Sequence, residues 1–182
     1  MMRGKGVIFL ILSAALLLWS CAVTDADPTD YAVGEFIALI SGRAGEVNFS
    51  ATLSASAADG EGARSFSLTL TAPESLNGLR VEGDTQRITV FLRDLAVYEG
   101  ETDSLPTVKT LIEAFTPTEA PLSVSAVKGY DAGLPQYETV TLLRFTFGQV
   151  CIDPNSDDPI MIKALPRGEG FDLIFTVDSF TE

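Results

Sequence analysis

Apolar and polar residues alternate along several segments in the first half of the chain. Residues 47–57 alternate apolar side chains with serine, threonine and asparagine, and residues 66–71 place Phe66, Leu68 and Leu70 on one side. A period of two is typical of half-buried antiparallel strands, with one face on the core and the other towards solvent. Turn-forming residues separate these segments, so the pattern predicts an antiparallel meander over residues 46–98.

Two segments instead have the spacing of an amphipathic helix. Apolar residues at positions 33, 36, 37 and 40 share one helical face, and the spacing recurs within residues 106–115. Pro106 suits a first helical turn, and Pro117 ends the second segment. The first segment could contact a membrane or a partner, but we expect both helices to cover the apolar face of the sheet.

The period of two returns after the second helix. Four further strands are predicted, at residues 122–127, 137–148, 159–164 and 171–179. The expected fold is mainly β, of the α+β class: a curved antiparallel sheet or incomplete barrel of about nine strands, covered by two amphipathic helices.

The first twenty residues have the composition of a secretory leader. Arg3 and Lys5 precede an apolar run over residues 7–18, which is shorter than the roughly 20 residues of a membrane-spanning helix. The segment Leu18-Trp19-Ser20-Cys21 resembles the lipobox of bacterial lipoproteins. In that family the cysteine thiol receives a diacylglyceryl group, and the leader is cleaved just before it. An uncleaved anchor, or cleavage that leaves Cys21 unmodified, is the alternative.

These features predict three parts of the chain: a lipoprotein signal peptide at 1–20, a lipidated Cys21 with an acidic tether at 21–28, and a single β domain at 29–182. Two acyl chains, such as palmitate, hold a protein stably at a membrane where a single chain does not. We therefore expect a cell-envelope protein, lipid-anchored on the extracytoplasmic face of the cell membrane.

The charge excludes one class of partner. Asp and Glu total 25 against 12 Lys and Arg, a formal charge of −13, and loss of Arg3 and Lys5 with the leader makes the chain more acidic still. Such a surface repels nucleic-acid phosphates, and it does not adsorb to anionic lipid without an anchor.

The residue inventory also argues against an enzyme. Histidine is absent, so Ser-His-Asp and Cys-His catalysis and His-ligated metals are excluded. No glycine-rich phosphate loop occurs, and no cofactor is expected. Two carboxylates could act as an acid and base pair, but abundant acids on a secreted domain are typical of a solubilising surface. Cys151 has no partner if Cys21 is lipidated, and we expect it to be a buried apolar residue rather than a reactive thiol.

One segment is a candidate metal site. Asp153, Asn155 and Asp157 copy the alternating oxygen ligands that open a calcium-binding loop. Asp158 stands where such a loop needs glycine, and Ala164 where it needs glutamate. A turn between strands is the alternative interpretation.

The order of elements, with phrases such as GEVNFSATLSA, FSLTLTAPESLNGL and ITVFLRDLAVYEG, resembles the LolA/LolB-like lipoprotein fold over residues 29–182. The resemblance implies an incomplete barrel closed by helices around an apolar cavity, and a role in carrying lipoproteins or lipids or in regulating cell-wall hydrolases. Phe36, Ile37, Leu111 and Phe115 would cover that cavity. The candidate ligand-binding residues are Phe49, Leu53, Phe66, Leu68, Leu70, Val90, Leu92, Leu111, Phe115, Phe145 and Phe147. A fully packed core would have the same pattern.

Two functions follow. The first is a non-enzymatic binding protein that holds a lipid or another apolar ligand in the half-barrel. The second is an interaction or regulatory lipoprotein without a ligand cavity, which docks an envelope or cell-wall enzyme through its sheet edge or acidic surface.

Overall fold

The computed structural model describes residues 29–57, 64–166 and 170–182, so the leader, Cys21 and the tether lie outside the described residues. The helices are α1 (Pro106–Phe115) and α2 (Gly129–Ala132), with 3-10 turns at Asp30–Ala32, Glu74–Leu76 and Thr102–Ser104. The strands are β1 (Phe36–Ala44), β2 (Val47–Ala55), β3 (Phe66–Ala72), β4 (Leu79–Gly83), β5 (Arg87–Leu92), β6 (Leu95–Glu101), β7 (Ser123–Lys128), β8 (Thr139–Arg144), β9 (Gly148–Ile152), β10 (Pro159–Ala164) and β11 (Leu173–Thr181).

All these strands form one antiparallel sheet in the order β6-β5-β4-β3-β2-β1-β11-β10-β9-β8-β7. The chain builds one arm of the sheet as a meander from β1 to β6, and the other arm as a meander from β7 to β11. Pairing of β1 with β11 joins the two arms. The sheet is open, because β6 and β7 are its two edges and do not pair with each other. The mainly β prediction is confirmed, although this sheet is not closed into a barrel.

The predicted first helix is wrong, because residues 36–44 form strand β1. Phe36, Ala38 and Ile40 are buried, while Ile37 and Leu39 between them are 54% and 45% exposed. Residues 36 and 40 share a face in a helix and also in a strand, so their spacing alone cannot separate the two. Hydrogen bonding to β2 on one side and β11 on the other decides the outcome.

The second predicted helix is confirmed as α1. It buries Leu111, Ile112, Ala114 and Phe115 against one face of the sheet, which we call the inner face. The Phe115 ring lies between Phe36 and Phe175, with ring centroids 5.5 and 5.8 Å apart. Apolar burial of this kind, rather than intrinsic propensity, stabilises a helix of ten residues.

The sheet has eleven strands rather than about nine. Besides β1, the difference comes from residues 137–148, which were predicted as one strand. Strand β8 ends at Arg144, and β9 begins at Gly148. In the turn between them, the rings of Phe145 and Phe147 stack with their centroids 4.8 Å apart. A side chain on Gly148 would overlap the Lys163 backbone, so only glycine fits where β9 meets β10.

Strands β8, β9 and β10 are covered on both faces. Leu143, Val150 and Ile162 join the main core on the inner face. On the outer face, Val140, Leu142, Cys151 and Met161 form a second cluster beneath α2 and the loop that follows it, which contribute Ala132 and Leu134. The second helix of the fold is therefore α2, which lies between two predicted strands and covers the face opposite α1.

The segment that enters the domain is held by contacts with distant residues. The buried Tyr31 hydroxyl donates a 2.9 Å hydrogen bond to the carbonyl oxygen of Ala114, at the end of α1. The Arg64 guanidinium donates to the carbonyl oxygens of Ala32 and Gly34. Among the described residues, neither helix has the length and apolar character needed to cross a membrane.

Candidate apolar binding site

An apolar pocket of about 170 Å³ lies between the N-terminal half of α1 and the inner face of the β1–β4 arm. Among the described residues, Thr107 alone contributes a polar side chain to the lining. The pocket is lined by Ala44, Val47, Phe49, Ala51, Leu68, Leu70, Leu76, Leu79, Val81, Thr107, Val108, Leu111 and Leu173.

The sequence builds this pocket by placing small and large side chains on the same face. Alternation puts Ala51 of β2 beside Leu70 of β3, with which it pairs in register. Val108 and Leu111, three residues apart on α1, face the strands from above. Because Ala44 and Ala51 end at Cβ, the space beneath the helix is not filled.

The rim of the pocket is open to solvent. Val47 is 50% exposed, and Leu70, Leu79 and Val108 are half-buried. From Leu79 an apolar row continues across the sheet, because Leu79 pairs with Leu92 of β5 and Leu92 pairs with Leu95 of β6. Leu92 is 41% and Leu95 69% exposed. The apolar row, defined as Leu79, Leu92 and Leu95, therefore connects the pocket with the β6 edge.

The volume limits what the pocket holds by itself. Pockets for drug-sized ligands usually measure roughly 300–1,000 Å³, whereas an apolar cavity of about 150 Å³ takes a benzene molecule. At 170 Å³ the enclosed part accommodates one end of an acyl chain or a small apolar group. A longer ligand would extend over the apolar row, where each buried methylene contributes about 0.8 kcal/mol.

The predicted ligand-binding residues fall into three groups. Phe49, Leu68, Leu70 and Leu111 line the pocket. Leu92 belongs to the apolar row. The remaining residues lie in the packed core or at the β8–β9 turn, away from the pocket: Leu53, Phe66, Val90, Phe115, Phe145 and Phe147.

Sequence reasoning missed the small and rim residues of the pocket. Of the residues expected to cover the cavity, Leu111 does so, while Phe36 is in the core and Ile37 is exposed on the opposite face. Ala44, Val47, Ala51, Leu79 and Val108 line the pocket but were not candidates. The strand alternation already placed Val47 and Ala51 on the same face as Phe49, and that signal could have identified them.

Within the part of the chain that the structure describes, the lining residues include no acid, base, cysteine or tyrosine. Burial raises the pKa of Tyr31 and, at Cys151, raises the pKa of the thiol to about 11, partly offset by nearby Lys163. Both groups lie outside the pocket. The described lining therefore offers apolar contact, and beside the Thr107 hydroxyl it holds no acid or base for proton transfer.

The calcium candidate lies in the turn between β9 and β10. The Asp153 Oδ1 atom accepts hydrogen bonds from the backbone amide and the side-chain amide of Asn155, both at 2.9 Å. The Asp157 amide donates to the backbone carbonyl of Asp153. Among the described residues, no group of three or more Asp, Glu, Cys or His is arranged to hold a metal ion.

Comparison with known proteins gives a likeness of fold. No family model and no curated protein matches the sequence. The chain is similar to an uncharacterized conserved protein from Thermus thermophilus, with 15% identity, a TM-score of 0.53 and 87% of each chain covered. A LolA superfamily protein from Nitrosomonas europaea aligns with 10% identity and a TM-score of 0.47, covering 85% of this chain and 90% of that one.

The Pseudomonas aeruginosa MucA/MucB complex aligns with 11% identity and a TM-score of 0.42, over 86% of this chain and 57% of that one. At these identities the likeness concerns the fold alone. The resemblance to a LolA/LolB-like fold, predicted from the order of elements, agrees with it.

Proposed function

We propose that this protein is a membrane-anchored, extracytoplasmic lipoprotein that binds an apolar ligand, a lipid or part of one, in the pocket beneath α1. The observation that carries the proposal is the combination of an apolar lining with an open rim and a continuing apolar row. A core built only for stability is usually closed and packed to a high density. No catalytic role is proposed, because none of the described residues that line the pocket has a titratable side chain.

The anchor is part of the proposal. A lipid on Cys21 would hold the protein at the membrane, whereas its acidic surface would not adsorb to anionic lipid. The test compares the full-length protein with Cys21→Ser in cells, by fractionation and by incorporation of a clickable palmitate analogue. We expect label and membrane association for the full-length protein and neither for the variant. A variant that still fractionates with membranes would contradict the anchor.

The pocket is tested separately, with a fluorescent fatty acid as the probe. Val47→Trp would place a ring in the open mouth, where Val47 is 50% exposed, so folding should tolerate it. Val124→Trp is the matched control, because Val124 is 51% exposed on β7 and does not line the pocket.

We expect probe binding to fall at least about tenfold in Val47→Trp and to stay within about twofold in Val124→Trp. Native mass spectrometry of the protein extracted from membranes should show added lipid mass for the parent and less for Val47→Trp. Equal probe binding by both variants, or only unliganded protein, would contradict ligand binding in this pocket.

The alternative function is an interaction or regulatory lipoprotein that docks an envelope or cell-wall enzyme. The observation in its favour is that both edge strands carry exposed apolar side chains, Leu95 and Val97 on β6 and Val124 on β7. In-cell crosslinking and pull-down would test it. A stoichiometric envelope protein recovered together with lipid-free protein favours docking, and recovery of the protein without a partner counts against it.

A further inference from the structure

The edge strand β6 is open to solvent on both faces. Leu95 is 69% exposed, Val97 53% and Tyr98 38%, so nothing among the described residues covers the strand. We propose that β6 is a docking edge that adds an extended segment of a partner protein to the sheet. The partner segment alternates apolar residues with lysine or arginine. This inference deepens the docking alternative, and it holds whether or not the pocket binds a lipid.

The backbone supplies the first part of the argument. An edge strand presents unpaired N–H and C=O groups along its free side, and an extended peptide can pair with them. Natural edges are usually protected by a covering element, by inward charges or by bulges. Along the described pairing of β5 with β6, the register is irregular only at Val90/Phe91, opposite Val97, and it is regular from Tyr98 to Glu101. A regular, uncovered stretch is available for pairing.

The side chains of β6 are sorted between the two faces. Leu95 and Tyr98 pair with Leu92 and Val90, which places both on the inner face, and the bulge accounts for their odd spacing. Glu99 and Glu101 pair with Thr89 and Arg87 on the outer face. A strand added beside β6 thus meets apolar groups on one face and carboxylates on the other.

The carboxylates determine the chemistry of the partner. No salt bridge within the described ranges involves Glu99 or Glu101, although Arg87 lies opposite Glu101 in register. Glu82, two strands away on β4, in contrast has its Oε1 atom 3.1 Å from Arg80 Nε. The whole chain carries a formal charge of −13. Cross-strand pairs of opposite charge stabilise a sheet, so lysine or arginine is the preferred residue opposite these two glutamates.

The same charges disfavour a second copy of this chain. Pairing β6 with β6 of another molecule would bring four glutamates close together, and like charges across strands are destabilising. The other edge strand, β7, can be compared with β6 within the same sheet. It has serines and Lys128 in place of glutamates, although Val124 is also exposed. The structure therefore assigns a basic partner to β6 and not to β7.

The probe is a capped nine-residue peptide of alternating lysine and valine. Its binding is measured by fluorescence anisotropy, and the strand that it contacts is identified by amide hydrogen exchange. The full-length protein is compared with Glu99→Lys/Glu101→Lys and with Glu119→Lys/Glu138→Lys. The second pair is exposed elsewhere and changes the net charge equally. A peptide N-methylated at alternate residues keeps its charge but cannot pair with a strand.

We expect peptide binding to weaken about tenfold or more in the β6 variant and to stay within about twofold in the control. We also expect protection of amides in β6 and not in β7, and no binding of the N-methylated peptide. The proposal is overturned by equal weakening in both variants, by amide protection at β7, or by binding of the N-methylated peptide. Protection of β6 amides that rises with protein concentration, in the absence of peptide, would instead assign the edge to a second copy of this chain. Binding of the fluorescent fatty acid is measured in the same variants, so loss of peptide binding with unchanged fatty-acid binding concerns β6 alone.

Discussion

The hydroxyl group of Tyr31 donates a 2.9 Å hydrogen bond to the carbonyl oxygen of Ala114, which lies 83 residues later in the chain. This contact joins the segment that enters the domain to the C-terminal turn of α1. Carbonyl groups in the last turn of a helix have no partner within the helix, so a buried donor from elsewhere satisfies one of them. Val108 at the other end of the same helix lines the pocket.

Tyr31→Phe should reduce the free energy of unfolding by about 1–2 kcal/mol at neutral pH, because a buried carbonyl loses its donor. Burial raises the pKa of Tyr31 above that of an unfolded tyrosine, which is about 10. The stability that Tyr31 contributes is therefore complete below pH 10 and is lost as pH rises further. Urea unfolding at pH 8, 10 and 11 should show the difference between parent and variant shrinking above pH 10.

Tyr130→Phe is the control for Tyr31→Phe, since Tyr130 is 81% exposed. It should leave the stability unchanged at pH 8 and should not alter the alkaline response of the parent. A constant difference between the parent and Tyr31→Phe across this pH range would contradict a buried, neutral Tyr31.

Gly42→Ala should destabilise the domain by about 3 kcal/mol, because overpacking forces the backbone to move. An added Cβ would overlap the carbonyl oxygen of Ile174 and the Cβ of Phe175 on β11. Gly34→Ala is the control, with no atom within 4 Å of the added group. Thermal unfolding of both variants tests this, and equal melting temperatures would show that β1 and β11 do not approach as closely as described.

Phe115→Ala should cost about 3–5 kcal/mol, the usual range for removing a buried phenylalanine. The milder substitution Phe115→Leu allows a double-mutant cycle with Phe36→Leu, because the ring centroids of Phe36 and Phe115 are 5.5 Å apart. We expect a coupling energy of about 0.5–1.5 kcal/mol. Phe91 packs under Arg80 on the outer face, so its cycle with Phe115 should show coupling below about 0.5 kcal/mol. Similar coupling in both cycles would argue against a specific aromatic stack.

Cys151 should resist alkylation by iodoacetamide at pH 8 in the folded protein. The residue is 2% exposed, and burial raises the pKa of the thiol to about 11, so little thiolate forms and the reagent has no access. Peptide mapping should find the label at Cys151 only after unfolding in guanidinium chloride. An exposed control, Ser125→Cys, should react in the folded state, and equal rates at the two positions would contradict the burial of Cys151.

Local patterns predicted the strands with one buried face and the helix α1. The β2 and β3 segments alternate clearly because their outer faces are serine and threonine, and Pro106 marks the start of α1. Strand β1 was misassigned because Ile37 and Leu39 are apolar but exposed, which removes the alternation. The β8–β9 turn was missed because Leu143, Phe145 and Phe147 continue the period of two straight through the turn.

The pocket was predictable only in part. Periodicity identified Leu68, Leu70 and Leu111 because it determines which face a side chain occupies. It cannot determine how far an opposing element stands from that face, and the cavity depends on Ala44 and Ala51 lying under α1. A space between elements is a property of tertiary packing, so no local pattern encodes it.

The two arms of the sheet differ in how many of their faces are buried. This difference determines the order in which the strands separate. Strands β8 to β10 lie between two apolar clusters, while β6 exposes nearly every side chain. Local opening requires least free energy where the fewest apolar contacts must break. The sheet should therefore fray inward from β6. The arm that carries the apolar row is the one that opens most easily to admit a ligand or a partner segment.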